Sequence, residues 1–139
     1  MIPKFRAWDK ELQTMLDVSL IDFKKSVLVG EHWKFGETNF MSFDDIKLMQ
    51  STGLFDKNGT EIFEGDIIDT TDYEGGLSSV GNPLVKVERD KYGFVVTGDF
   101  PTSPITLKEF EAGRKFAGVE VIIAGNIYEN PELVEVIDD

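Results

Sequence analysis

TGLFDKNGTEIFEGDII, residues Thr52 to Ile68, is the stretch on which the reading of the chain turns. It sets Asp56-Lys57-Asn58-Gly59 and Glu64-Gly65-Asp66 among short apolar runs, and three unrelated devices begin this way. In an EF-hand loop, Asp56, Asn58 and Thr60 would have the right oxygen spacing, but that loop needs glycine at its sixth position and glutamate at its twelfth. Those places hold Glu61 and Ile67, so a calcium loop is struck out. A phosphate-binding loop needs Gly-Lys-Ser/Thr after its glycines, and the chain has no Gly-Lys pair anywhere. The hairpin remains. Asn58-Gly59 supplies residues that tolerate the positive φ of a tight turn, and Glu64-Gly65-Asp66 turns the chain again to release DIIDT as a strand in a new direction.

Upstream, FRAWD and MLDVSLID alternate apolar and polar positions around a KELQT turn, and SVLVG is a third short run closed by glycine. Aromatic residues crowd this N-terminal arm. Phe5, Trp8, Phe23, Trp33, Phe35 and Phe40 fit a half-buried pleated face, and they equally fit the anchors of a contact with another subunit; they are the candidate interface residues. SFDDIKLMQSTG predicts a helix, with Ser42 as cap, Asp44 and Asp45 in the first turn and Gly53 as stop. The Asp44-Asp45 pair is read as a capping device and not as an acid/base couple.

Downstream, Asp72–Leu84 reads as a Gly/Ser-rich solvated loop. Residues 84–100 form a second hairpin turning at KYG, and Pro101 and Pro104 bar a central strand after it. Thr106 with Glu109 forms a capping box for a short helix or turn ending at Gly113. GVEVIIAG is a buried-type strand. Asn130 and Pro131 open a last helix as N-cap and first helical residue, followed by an acidic, frayed end.

The expected fold is therefore mainly β: a small SH3-like barrel core with an N-terminal β arm and two or three short helices. The arm is placed at residues 1–42 and the barrel-like domain at 43–139, with one continuous domain as the alternative.

Several chemistries are ruled down. The 139 residues include no cysteine, which removes disulfides, thiolate nucleophiles and sulfur-ligated metals. The 14 basic residues are outweighed by 26 acidic ones, for a net charge of −12. The densest basic spot, Lys86, Arg89 and Lys91, is interleaved with Glu88 and Asp90, so direct binding to nucleic-acid phosphates is not expected. His32 is the sole histidine; it has no nucleophile-elbow context and is read as a surface or aromatic-packing residue. Asp66, Asp69 and Asp72 are read as a solvated strand edge in preference to a cation site. No catalytic, cofactor-binding or metal-binding residue is assigned. No apolar run of about 18 residues exists to span a membrane, and the start lacks the order of a signal peptide.

Three blocks in order, IPKFRAWDKELQTM, LMQSTGLFDKNGTEIFEGDII and IAGNIYENPELV, are similar to the signature blocks of the YopX-like family of phage and prophage proteins. The resemblance implies a mostly β fold with a barrel-like core, a phage or prophage origin and hence a bacterial cytoplasm, and assembly into homo-oligomers in some members. It carries no catalytic residue. The expected function is a non-enzymatic one, through protein–protein contacts with self-association first and a host or phage protein as a further partner. The alternative is an acidic inhibitor that presents carboxylates in place of DNA phosphates to a host nucleic-acid enzyme.

Overall fold

Alternation in the first thirty residues is strong enough to fix strands, and the computed structural model, which describes residues 4–71 and 83–138, forms them where the pattern lies. β1 (Phe5–Asp9), β2 (Thr14–Asp22), β3 (Val27–His32) and β4 (Thr38–Ser42) follow one another as an antiparallel meander. A 3-10 turn at Phe43–Asp45 leads into β5 (Ile46–Phe55), which returns beside β1. The sheet order is β4-β3-β2-β1-β5, continued by β6 (Glu61–Phe63). Across it, Ala7, Leu16, Leu28 and Ile46 form the buried cluster, backed by Val18, Ile21, Met41, Phe43 and Leu48.

β5 overturns the helix expected at SFDDIKLMQSTG. Ser42 does cap, its Oγ accepting the Asp44 N–H at 3.2 Å, but the helix lasts a single 3-10 turn. From Ile46 onward the chain pairs with β1, aligning Ile46 with Asp9, Leu48 with Ala7 and Gln50 with Phe5. Cap and first-turn signals are worth about 1 kcal/mol. Pairing a ten-residue strand satisfies a whole row of backbone groups and buries Ile46 and Met49, so tertiary context wins.

The chain divides into two compact units, Met1–Ser51 and Thr52–Asp139. The second opens with the end of β5 and the hairpin to β6. It continues with β7 (Asp66–Asp69), β8 (Leu84–Asp90), β9 (Gly93–Gly98), β10 (Ile105–Thr106), α1 (Leu107–Ala117), β11 (Ile122–Asn126) and α2 (Pro131–Asp138). Its antiparallel sheet runs β10-β9-β8-β7-β11, and the outer side of β11 meets the Asp56 turn, Lys57 N–H donating to Val121 O at 2.9 Å and Ile123 N–H to Asp56 Oδ2. No closed barrel is found among the described residues, so the architecture is mainly β with two antiparallel sheets and two α-helices. Ile62, Ile68, Val85, Val87, Val96, Phe100, Phe110 and Val121 make its core; each such side chain, fully buried, contributes roughly 1.5–3 kcal/mol.

α1 begins at the expected capping box, Thr106 Oγ1 accepting the Glu109 N–H at 3.1 Å. It runs past Gly113 and stops at Gly118, whose φ of 69° is left-handed and whose N–H returns to the carbonyls of Arg114 and Lys115. β11 corrects the buried-strand reading of GVEVIIAG: it is an edge strand, with Ile122 exposed and only Asn126 fully buried. At the other end the acidic segment stays helical to Asp138, held by the buried Ile137. The Asp72–Asn82 stretch of the expected loop, and Asp72 of the Asp66–Asp69–Asp72 trio, lie outside the described residues. Among the described residues no helix is long and apolar enough to cross a membrane.

Candidate functional site

On the first sheet, Ala7, Leu16 and His32 stand in one cross-strand row, and Asp9 lies two residues beyond Ala7 on the same face. Asn39, opposite Gly30, completes the group. His32 Nε2 meets Asp9 Oδ2 at 2.9 Å, and the Asn39 side-chain amide donates to His32 Nδ1 at 2.8 Å. With the amide oriented this way, the ring proton sits on Nε2 and is donated to Asp9. Asp9 Oδ1 accepts the N–H groups of Glu11 and Leu12, both at 3.0 Å, and so shapes the β1–β2 turn. Burial pushes the Asp9 carboxyl up. The His32 hydrogen bond, the two turn amides and the attraction to the imidazole outweigh it, so the group titrates below the ordinary 3.8.

The network corrects the surface reading of His32, which is only 2% exposed. The aromatic half of that reading holds: the ring meets Phe35 edge-on, with centroids 6.0 Å apart. Both ring nitrogens are occupied, so no position is left to take a proton from a nucleophile. One signal was available in the sequence. VLVGEH continues the alternation of Leu28 and Gly30, which puts His32 on the buried face if the strand is read two residues further.

The candidate interface residues separate by exposure. Trp8 is buried and Phe5 half-buried, while Phe23, Trp33, Phe35 and Phe40 are 63%, 48%, 49% and 71% exposed. Phe23 makes edge contacts with Phe5 and Phe43 at 6.2 and 6.0 Å. Trp33 donates its indole N–H to Asp17 at 2.8 Å. Phe40 belongs to a different grouping, one that sequence reasoning missed. The register pairs Leu20 with Val29 and Val29 with Phe40, so three apolar residues form one line across β2, β3 and β4. Leu20 is 56% exposed. A bulge at Ser19 decides this, since without the extra residue Leu20 would face the other side. No sequence pattern announces that bulge.

β4 is also a sheet edge. Thr38-Asn39-Phe40-Met41-Ser42 carries no charge and no proline, the devices by which proteins usually protect an edge.

In the second unit the turns read from the sequence are occupied by their own backbone. Asp56 Oδ1 accepts Asn58 N–H and Thr60 N–H at 2.9 Å each, and Oδ2 accepts Ile123 N–H at 3.1 Å. Gly59 takes φ 80° and its N–H closes on Asp56 O; Asn58 keeps negative φ, so the turn needs one glycine where the sequence promised a pair. Gly65, at φ 91°, donates to Val87 O and accepts from Ile127 N–H, while Asp66 Oδ2 accepts Phe63 N–H at 2.7 Å. At this turn the chain leaves the β5–β6 hairpin for the second sheet, the change of direction read from Glu64-Gly65-Asp66. Among the described residues no three of His, Asp and Glu gather around a common point suited to a metal ion. The basic spot is internally paired in part, Lys86 with Glu88 at 3.4 Å and Arg89 with Glu64 at 3.5 Å.

The model of the family described as YopX protein matches residues 4–135. Among solved structures, that of protein EF1440 from Enterococcus faecalis is similar, with a TM-score of 0.61 and 29% identity, over 96% of this chain and 99% of that one. No curated protein is similar enough to count as a match.

Proposed function

The chain belongs to the YopX protein family, and from that premise we propose that it is a non-enzymatic phage or prophage protein that acts through protein–protein contacts, with self-association at the β4 edge. The observation that carries this reading is the Leu20–Val29–Phe40 row reaching an uncharged, proline-free edge strand. Phe40 is the central residue of β4. An antiparallel copy related by a two-fold axis through it brings Phe40 against Phe40, Asn39 against Met41 and Thr38 against Ser42. Such pairing satisfies the open backbone groups of both edges and is self-complementary, as a two-fold interface must be.

Charge supports the same place. A chain of net charge −12 repels its own copies, and β4 is a stretch where two copies approach without bringing carboxylates together. Trp33 and Phe35 stand exposed in the β3–β4 turn that precedes this edge. The setting that goes with the family is the cytoplasm of a bacterial host.

Sizing chromatography with light scattering tests this. At tens of micromolar the native chain is expected as a dimer or larger, and Phe40→Glu as a monomer with unchanged circular dichroism. A native chain that stays monomeric at that concentration overturns the reading.

A further inference from the structure

A groove of about 820 Å³ opens in the second unit between α1 and the β8–β9 turn. Its apolar surface comes from Leu54, Phe94 and Leu107, partly buried residues packed against the core. The core thus reaches the surface of this unit with none of its described helices or strands laid over it. Tyr92, 86% exposed, stands at the turn as a wall. The volume lies within the usual range for small-ligand sites, roughly 300–1,000 Å³.

The polar groups around the groove decide what it fits, because most of them are already committed. Thr52 Oγ1 donates to Ile62 O and accepts Leu54 N–H. Thr106 Oγ1 donates to Glu109 Oε1 and accepts Glu109 N–H. The Glu111 carboxylate is held by Arg114, and Asp90 Oδ1 accepts Tyr92 N–H at 2.8 Å. The cations of the lining, the ammonium groups of Lys108 and Lys115, are exposed and paired with no carboxylate among the described residues. Seven residues apart, they lie on one face of α1, about 10 Å apart along its axis. Two cations with no carboxylate partner among the described residues, beside an apolar groove, run against the charge of a strongly acidic chain.

We propose that this groove binds a small amphiphile, an apolar tail with a single anionic head such as an alkyl carboxylate, the head at Lys108 and Lys115 and the tail over Leu54, Phe94 and Tyr92. A peptide strand fits less well, because the lining offers side chains and not a row of open backbone groups.

Calorimetric titration of the full chain with decanoate, decanol and decyltrimethylammonium, each below its micellar concentration, tests the proposal. Decanoate is expected to bind saturably at one site. Lys108→Gln/Lys115→Gln, two exposed changes that leave the core intact, should weaken it about fivefold, the scale of two exposed ion pairs. Lys24→Gln/Lys25→Gln, an equal loss of charge in the first unit, should leave it unchanged, and the two other probes should bind more weakly than decanoate. Absence of saturable decanoate binding overturns the proposal. So does equal binding of all three probes, or equal weakening by both lysine pairs.

Discussion

Replacing Gly125 by alanine puts a methyl group where Asn130 already sits. A Cβ built on Gly125 stands 2.7 Å from Asn130 Cγ and 3.2 Å from its Cβ, and closer still to Oδ1. The Asn130 side chain must therefore leave, and with it goes the bond from Asn126 N–H to Oδ1, 3.1 Å long, at a residue 5% exposed. Stranding a buried amide costs about 1–3 kcal/mol, and crowding the site about 1–3 more. Against this, alanine restricts the unfolded chain in our favour by about 0.4–1 kcal/mol, the backbone at Gly125 being one that alanine tolerates. The net expectation is a loss of about 2–4 kcal/mol, or a Tm lower by about 10 °C. Urea unfolding followed by circular dichroism measures it in a four-member cycle with Asn130→Ala, which keeps Cβ but removes the amide. Asn130→Ala alone should cost about 1–2 kcal/mol, and adding Gly125→Ala to it should cost under about 1 kcal/mol. The two changes are then coupled by roughly 2 kcal/mol. If the two costs simply add, the steric argument is wrong.

Two further outcomes follow from the buried carboxylates. Asp9→Ala leaves His32 Nε2 and the amides of Glu11 and Leu12 without their acceptor, and should lower stability by about 2–4 kcal/mol in urea unfolding. Because the folded Asp9 titrates below 3.8, its contribution is complete above the unfolded value and is lost as pH falls through the folded one. The native chain should therefore weaken more steeply than Asp9→Asn below about pH 4, and parallel pH profiles would count against the network. Asp56→Ala removes the acceptor of three backbone N–H groups and should cost about 2–4 kcal/mol. Since those amides occupy the carboxylate, millimolar calcium should leave the native Tm where it is, and a rise would contradict the turn reading.

Residues that act within a few positions of one another were legible in the sequence. Asp56 with Asn58 and Thr60, Phe63 with Asp66, and Thr106 with Glu109 work through bonds spanning two to four residues, and each turn or cap formed where it was read. The alternation of β1, β2, β3 and β8 likewise needs nothing beyond the pleat. The mainly β fold followed from these local signals, while closure of an SH3-like barrel, not found among the described residues, depends on which edges meet. β11 instead ends the second sheet, with the Asp56 turn against its outer side.

Other features were settled only by partners far away in the chain. Ile46 to Phe55 is a strand because β1, some forty residues earlier, offers it a row of backbone groups, and that pairing outweighs the local cap and first-turn signals for a helix. Asp9 and His32 are 23 residues apart and meet because two hairpins fold them onto one face. Leu20 turns outward beside Val29 and Phe40 through a single bulged residue. Sequence by itself determined where the backbone bends, because a bend is fixed by the φ, ψ and short hydrogen bonds of its own residues. Which faces are buried, which edges stay open and which polar groups remain uncommitted belonged to the tertiary structure, because each depends on surfaces that meet only once the chain has folded.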